Sequence, residues 1–132
     1  RSSGCRQYRE NIMTAQRAIG EGAPTVDKIR VFYNHPGFIY PMVENVKQAL
    51  AQWDEDERED VHIVYTAHSI PMGQARNSAY EDQLHEACRL VNNLIGRGDE
   101  HVLVYQSRSG PPHVPWLEPD IVDYLEDVTK KA

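Results

Sequence analysis

One stretch of the chain, Asp60 to Met72 (DVHIVYTAHSIPM), constrains the fold more than any other. The run from Val61 to Tyr65 is rich in β-branched and aromatic residues, which is typical of a strand buried on both faces of a parallel sheet. Pro71 cannot donate a ladder hydrogen bond, so this strand has to stop soon after His68. We therefore predict a buried strand with a histidine at its carboxyl end.

The position of His68 allows two interpretations. Ligands of open parallel sheets bind in the crevice beyond the carboxyl ends of the strands. A histidine there could transfer protons or hold a metal ion, because its unperturbed pKa is about 6.5. Alternatively, His68 only caps the strand by a hydrogen bond to nearby backbone. This stretch alone does not separate the two.

Helical and extended patterns alternate along the chain, which favours an α/β fold with a parallel sheet and helices on both faces. Gly73 to Ala79 is expected to be a polar loop. The pattern predicts strands at 28–33, 61–68 and 102–105, and helices at 8–19, 38–53, 80–95 and from Pro119 onward. We therefore predict a three-layer, Rossmann-like parallel sheet with flanking helices.

Composition narrows the function. At 132 residues the chain is one domain, and its net charge of −6 argues against nucleic acid. Two cysteines make no disulfide framework, which favours a cytoplasmic protein. No apolar run approaches the roughly 20 residues of a membrane span. The acidic run from Asp54 to Asp60 is interpreted as a solvated surface segment.

A second apolar strand, Val102 to Tyr105, also leads into a polar loop, QSRSGPPHVPWLEPD. TAHSIPM followed by VYQSRSGPPHVPWLEPD resembles ferrochelatase, and the opening SSGCRQYREN resembles the segment that precedes this region in bacterial members of the family. Two long motifs in the right order are far more specific than a lone short pattern. The resemblance extends through essentially the whole chain.

The resemblance implies an enzyme, a lyase of haem and porphyrin biosynthesis that inserts ferrous iron into protoporphyrin IX or coproporphyrin III. Ferrochelatases have two α/β lobes facing each other across a cleft. The chain resembles the central to second-lobe part, with residues 1–25 as a helix linking from the first lobe and 26–132 as the second-lobe portion. We expect it to be inactive alone, because the opposing carboxylate and the first lobe are not among its residues.

The resemblance makes His68 the catalytic histidine, which either takes a pyrrole proton or binds Fe²⁺; the sequence does not choose. It makes Ser107 a hydrogen-bond donor to a porphyrin propionate. Arg108 could pair a carboxylate with two parallel bonds, or be an exposed surface charge. Tyr105 and Gln106 are placed beside them as further substrate-binding residues.

Trp116 could line the cleft with a flat apolar surface suited to a macrocycle, or pack in the core. Tyr33, His35 and Pro36 are expected at the rim. Four other histidines are expected outside the site: His62, His85, His101 and His113.

Porphyrin and ferrous iron are the expected partners, both as substrates, and no cofactor is required. Some bacterial ferrochelatases hold a [2Fe–2S] cluster with one internal cysteine, and Cys5 is placed where such a ligand could lie. A cluster needs about four thiolates, and the chain has two cysteines. Peripheral membrane association of the whole protein stays open. The alternatives are a chelatase for another metal or tetrapyrrole, and a tetrapyrrole- or metal-binding module without catalysis.

Overall fold

The computed structural model describes residues 3–132, so Arg1 and Ser2, which open the predicted linking segment, lie outside the described residues. A 3₁₀ turn at Arg58–Asp60 precedes the first strand. The other elements in chain order are α1 (Ser3–Ile19), α2 (Pro36–Leu50), β1 (Val64–His68), α3 (Met72–Arg76), α4 (Tyr80–Leu94), β2 (Val102–Gln106) and α5 (Ile121–Lys131).

The two strands form a parallel pair in which Val64 lies opposite Val102 and His68 lies opposite Gln106. The chain passes from β1 to β2 through α3 and α4, as parallel strands require a crossover connection. The ladder extends one residue further, because the Ser69 N–H donates to the Gln106 carbonyl at 2.8 Å. Both strands therefore end level, at the same edge of the sheet.

The main core lies between β2 and α4. Leu103 and Tyr105 pack in one buried cluster with Cys88 of α4 and with Leu117. Val104 alternates to the opposite face and is fully buried, and α5 contacts β2. Both faces of β2 are thus covered, which gives the layered α/β arrangement that the alternating pattern predicts.

A second cluster joins α2 to α4. Ile39 and Val43 lie one helical turn apart on α2 and pack with Val91 of α4. The helix begins at Pro36, a residue suited to a first helical turn, and the His35 ring accepts a hydrogen bond from the Gly37 N–H at 3.0 Å. The predicted amphipathic helix is confirmed, although it ends at Leu50 rather than Trp53.

The predicted strand at 28–33 does not form. Residues 23–32 have no regular secondary structure, and Ile29 is 78% exposed. Strand preference reflects packing against neighbouring strands and faces rather than an intrinsic backbone bias, and no strand among the described residues pairs with this segment. The sheet described in residues 3–132 has two strands rather than three.

Other element boundaries shift. The predicted loop at 73–79 contains the short helix α3, and β1 begins at Val64 rather than Val61. The last helix begins at Ile121 rather than Pro119, because the Asp120 side chain accepts the Val122 N–H at 2.8 Å and caps it. Within residues 3–132, none of the helices combines the length and apolarity needed to cross a membrane.

Candidate functional site

The level ends of β1 and β2 bring polar residues together. His68 is the last residue of β1 and lies opposite Gln106, the last residue of β2; Ser107 follows directly. Neighbouring strands are about 4.8 Å apart. All three residues are exposed, so this group, here called the strand-end site, is open to a ligand.

The backbone beside His68 holds its ring in one tautomer. The Nδ1 atom lies 2.5 Å from the Ser69 carbonyl oxygen. A carbonyl only accepts hydrogen bonds, so Nδ1 carries the proton and the neutral ring has its lone pair on Nε2. The Tyr80 hydroxyl donates to the His68 carbonyl at 2.7 Å, and burial raises the pKa of Tyr80, which keeps that donor protonated.

Ser69 is 2% exposed and anchors this arrangement. Its hydroxyl donates to the Leu117 carbonyl at 2.8 Å, and the Leu117 N–H donates in return to the Ile70 carbonyl at 3.0 Å. The carbonyl that orients the histidine is therefore tied to β2 on one side and to the segment around Leu117 on the other. The sequence pattern does not single out Ser69, because nothing in it marks a partner 48 residues away.

Ser107 has an uncommon backbone conformation. Its φ of 64° lies in the left-handed region. Among the residues that the structure describes, Ser107 is the only one other than glycine with a positive φ. For residues other than glycine this conformation costs roughly 1–2 kcal/mol, and such strain clusters at functional positions. The loop after β2 therefore presents Ser107 through a local distortion at the edge of the site.

Arg108 anchors its own loop. One terminal nitrogen, Nη2, donates to the carbonyls of Pro112 and Val114 at 3.0 and 3.1 Å. The side chain is exposed, so Arg108 is a surface cation that also closes its loop.

Two of the aromatic residues expected in the site lie in different surroundings. Tyr105 is 2% exposed within the core, and its hydroxyl donates to Glu81 at 3.4 Å. Burial raises the pKa of Tyr105, and the charge of Glu81 raises it by a smaller amount. Trp116 is half-buried and pairs with Pro71 in an antiparallel bridge. Trp116 thus lies beside the turn that follows His68, whereas Tyr105 lies behind the site.

The expected rim residues lie elsewhere. His35 caps α2, and Tyr33 lines an apolar cavity of about 510 Å³ between α2, α4 and β1. Its walls include Phe38, Tyr65 and Leu84, and no residue of the strand-end site.

The remaining histidines are also apart from the strand ends. His62, which precedes β1, contacts the Tyr124 hydroxyl at 2.6 Å. His85 and His101 contact each other at the opposite end of β2. His113 lies in the loop that Arg108 closes.

The two cysteines differ in environment. Cys88 is buried, and burial raises its pKa to about 11; Cys5 is exposed on α1. Two thiols do not supply the four that a [2Fe–2S] cluster needs, so this chain does not fit a cluster by itself. Across residues 3–132, no group of three or more His, Cys, Asp or Glu side chains is arranged to hold a metal ion.

Comparison with known proteins confirms the resemblance to ferrochelatase. A sequence model of the family described as Ferrochelatase matches residues 1–132. The chain is 55% identical over 126 residues to a ferrochelatase of Rhodopirellula baltica, covering 96% of the chain and 35% of that protein.

Two relatives named coproporphyrin III ferrochelatase are also similar. The protein from Streptomyces coelicolor is 44% identical over 142 residues, which cover 95% of the chain and 38% of the relative. The protein from Frankia alni is 46% identical over 141 residues, which cover 96% and 35%. The chain therefore spans little more than a third of the length of these curated relatives. Since the family model matches it from end to end, the chain belongs to the ferrochelatase family.

Proposed function

We propose that this chain carries one wall of a site that inserts ferrous iron into a porphyrin in haem biosynthesis. The observation that supports this most directly is the placement of His68 at the strand ends with Nδ1 held by the Ser69 carbonyl, so that the neutral ring has its lone pair on Nε2. Family membership adds the reaction, because the relatives that match the chain are named ferrochelatases.

Insertion exchanges one Fe²⁺ for the two pyrrole N–H protons of the porphyrin, so two protons leave for each metal that enters. A neutral imidazole nitrogen at the ring face can accept one of these protons, or ligate the incoming Fe²⁺ as substrate. In either case Nε2 of His68 is the acting atom. The Nδ1 contact with Ser69 resembles the backbone contacts that orient histidine ligands of metals.

The loop after β2 supplies the binding groups in this proposal. Ser107 donates its hydroxyl to a propionate of the porphyrin, with Gln106 beside it. Arg108 contributes positive charge to the carboxylates while holding the loop closed. Trp116 offers its exposed part to the macrocycle, and Tyr105 supports the site from the core rather than contacting the ligand.

The opposing carboxylate and the second wall come, in our proposal, from the remaining two thirds of the protein. Cys5 is the cysteine of this chain that could join a [2Fe–2S] cluster completed by cysteines elsewhere, since it is exposed whereas Cys88 is buried. No step of iron insertion proposed here depends on that cluster. We place the protein in the cytoplasm, on the low cysteine content of the chain.

A chimaera tests the function. The 126-residue matched region of the Rhodopirellula baltica ferrochelatase is replaced by this chain, and iron insertion is measured without oxygen, with protoporphyrin IX and coproporphyrin III in parallel. We expect insertion within about tenfold of the parent enzyme with one of the two. A preference for another metal would indicate a different chelatase, and porphyrin binding without insertion would indicate a non-catalytic module; either result contradicts the proposal.

A further inference from the structure

Two histidines meet at the end of the sheet opposite to His68. His85 lies on α4 and His101 directly precedes β2, and His85 Nδ1 is 2.9 Å from His101 Nε2. Gln106 lies five positions after His101, which is about 17 Å at 3.3 Å per residue. This pair is therefore independent of the strand-end site and of the function proposed for it.

The surrounding contacts determine which nitrogen of each ring carries a proton. His101 Nδ1 donates to the Asp99 carbonyl at 2.8 Å, so the neutral ring of His101 has its lone pair on Nε2. His85 Nδ1 is then the donor of the contact between the rings. Metal-binding histidines commonly donate their second ring N–H to a backbone carbonyl in this way, so His101 is already oriented as a ligand.

The segment that carries His101 is held rigidly. Asn92 is 4% exposed, and its amide donates to the carbonyls of Gly98 and Glu100 at 3.0 and 2.7 Å. The Asp99 carboxylate accepts hydrogen bonds from Asn93 and from Arg89 on α4. A preorganised pair loses little conformational entropy when it binds a ligand.

The spacing of the two nitrogens suits a shared metal ion. Nitrogens at about 2.05 Å from an ion are roughly 2.9 Å apart at a right angle and roughly 3.3 Å apart in a tetrahedron. His85 is exposed and His101 is half-buried, and a small rotation can turn each lone pair onto an ion beside the line that joins them.

The nearby charges favour a cation. Glu86 and Asp99 are both paired with Arg89, at 2.7 and 3.3 Å, so two carboxylates surround one guanidinium. The carboxylates outnumber the guanidinium by one, and the Asp99 backbone is hydrogen-bonded directly to the His101 ring, so the local charge beside the pair is negative.

We propose that His85 Nδ1 and His101 Nε2 form a surface site for a divalent transition-metal ion of the Zn²⁺, Ni²⁺ or Cu²⁺ class, with water completing the coordination. Imidazole nitrogens suit these ions. On binding, the proton of His85 moves through solvent from Nδ1 to Nε2, so the ring changes tautomer and no proton is lost. The ion then bridges α4 to the start of β2.

Nuclear magnetic resonance of the unsubstituted chain tests this directly. Zn²⁺ alone is titrated at pH 7.5 while the ring nitrogens of all six histidines are followed. We expect the signals of His85 Nδ1 and His101 Nε2 to shift together and His85 to change tautomer. Shifts at other histidines without these two would overturn the proposal, whatever the behaviour of the variants.

Affinity measurements complete the test. A background of Cys5→Ser with His68→Ala removes an exposed thiol and the strand-end imidazole, both of which are side chains of the kind that binds Zn²⁺. In this background His85→Gln and His101→Gln should each weaken Zn²⁺ binding at least tenfold. The double variant should bind Zn²⁺ little more weakly than either single variant. His113→Gln is the matched control and should stay within twofold. Equal affinity in all variants would contradict the site.

Discussion

The Nδ1 atom of His68 lies 2.5 Å from the carbonyl oxygen of Ser69, the next residue in the chain. This contact leaves Nε2 as the reactive nitrogen. It depends on the position of the Ser69 carbonyl, which three backbone and hydroxyl hydrogen bonds hold in place. The reactivity proposed for His68 is therefore a property of the strand end as a whole.

In the Rhodopirellula chimaera, His68→Ala should lower iron insertion at least 100-fold, because general acid–base catalysis typically contributes 10²–10⁴-fold. Porphyrin binding should change little, since the binding groups lie on the loop after β2. The measurement is steady-state insertion together with porphyrin fluorescence. His62→Ala is the matched control, because His62 contacts Tyr124 away from the strand ends. Activity within a few-fold of the chimaera would remove His68 from the mechanism.

The 132-residue chain alone should insert no iron above the uncatalysed rate. In the proposed mechanism, proton removal and metal delivery act on opposite faces of the flat porphyrin ring, so two walls are required. Without the second wall the strand-end site is open to water, which weakens each electrostatic contact there. An anaerobic assay with ferrous iron compares the chain with the chimaera at equal concentration. Turnover by the chain would contradict the two-walled mechanism.

Ser107→Gly in the chimaera should weaken porphyrin binding without disturbing the loop. Glycine adopts a positive φ at no steric cost, so the substitution removes the hydroxyl and keeps the 64° backbone angle. A hydrogen bond to a charged group contributes about 1.5–3 kcal/mol, or roughly 10- to 150-fold in affinity. A fluorescence titration measures the change, and adding Arg108→Ala should weaken binding further. Exposed Ser109→Ala is the control, and an unchanged affinity in Ser107→Gly would exclude a direct contact.

Ser69→Ala should destabilise the chain by about 1–3 kcal/mol, because it leaves the Leu117 carbonyl buried without its donor. Urea unfolding monitored by circular dichroism gives the free energy of unfolding. Exposed Ser109→Ala should stay within about 0.5 kcal/mol of the parent. In the chimaera, Ser69→Ala should also lower the turnover number more than the affinity for porphyrin, as expected of a residue that positions His68. A loss of stability equal to that of Ser109→Ala would contradict this assignment.

Cys88 should resist alkylation in the folded chain. Burial raises its pKa to about 11, so roughly 0.1% of the thiol is ionised at pH 8, and only the thiolate reacts. Iodoacetamide labelling followed by mass spectrometry should modify exposed Cys5 first, and Cys88 only after unfolding. Equal labelling of both cysteines would contradict the burial of Cys88.

The raised pKa of Cys88 also makes the stability of the chain depend on pH. The unfolded chain releases the Cys88 proton at its ordinary pKa near 9, below the folded value. The contribution of Cys88 to the free energy of unfolding is therefore fully present below about pH 9, and it decreases as the pH rises towards 11.

The sequence by itself determined the parallel α/β class and, to within one residue, the carboxyl ends of both strands. Pro71 prevents the ladder from continuing past His68, and the apolar runs around Val64 and Val102 need partners on both faces. These are local preferences of the backbone and of the side-chain pattern. They are sufficient to place His68 and Ser107 at one edge of the sheet, because parallel strands that end level share that edge.

Other features were determined only by the tertiary structure, because the local sequence pattern does not contain them. The segment at 28–33 has the residues of a strand and yet is exposed and unpaired, because a strand needs a neighbour to pair with. Tyr105 was expected beside the ligand and lies in the core, since alternation along β2 points it towards α4. The proton on Nδ1 of His68 follows from Ser69, and the meeting of His85 with His101 follows from the packing of α4 against β2. Each depends on contacts between residues distant in sequence or on the path of the chain in space, which no short window of sequence specifies.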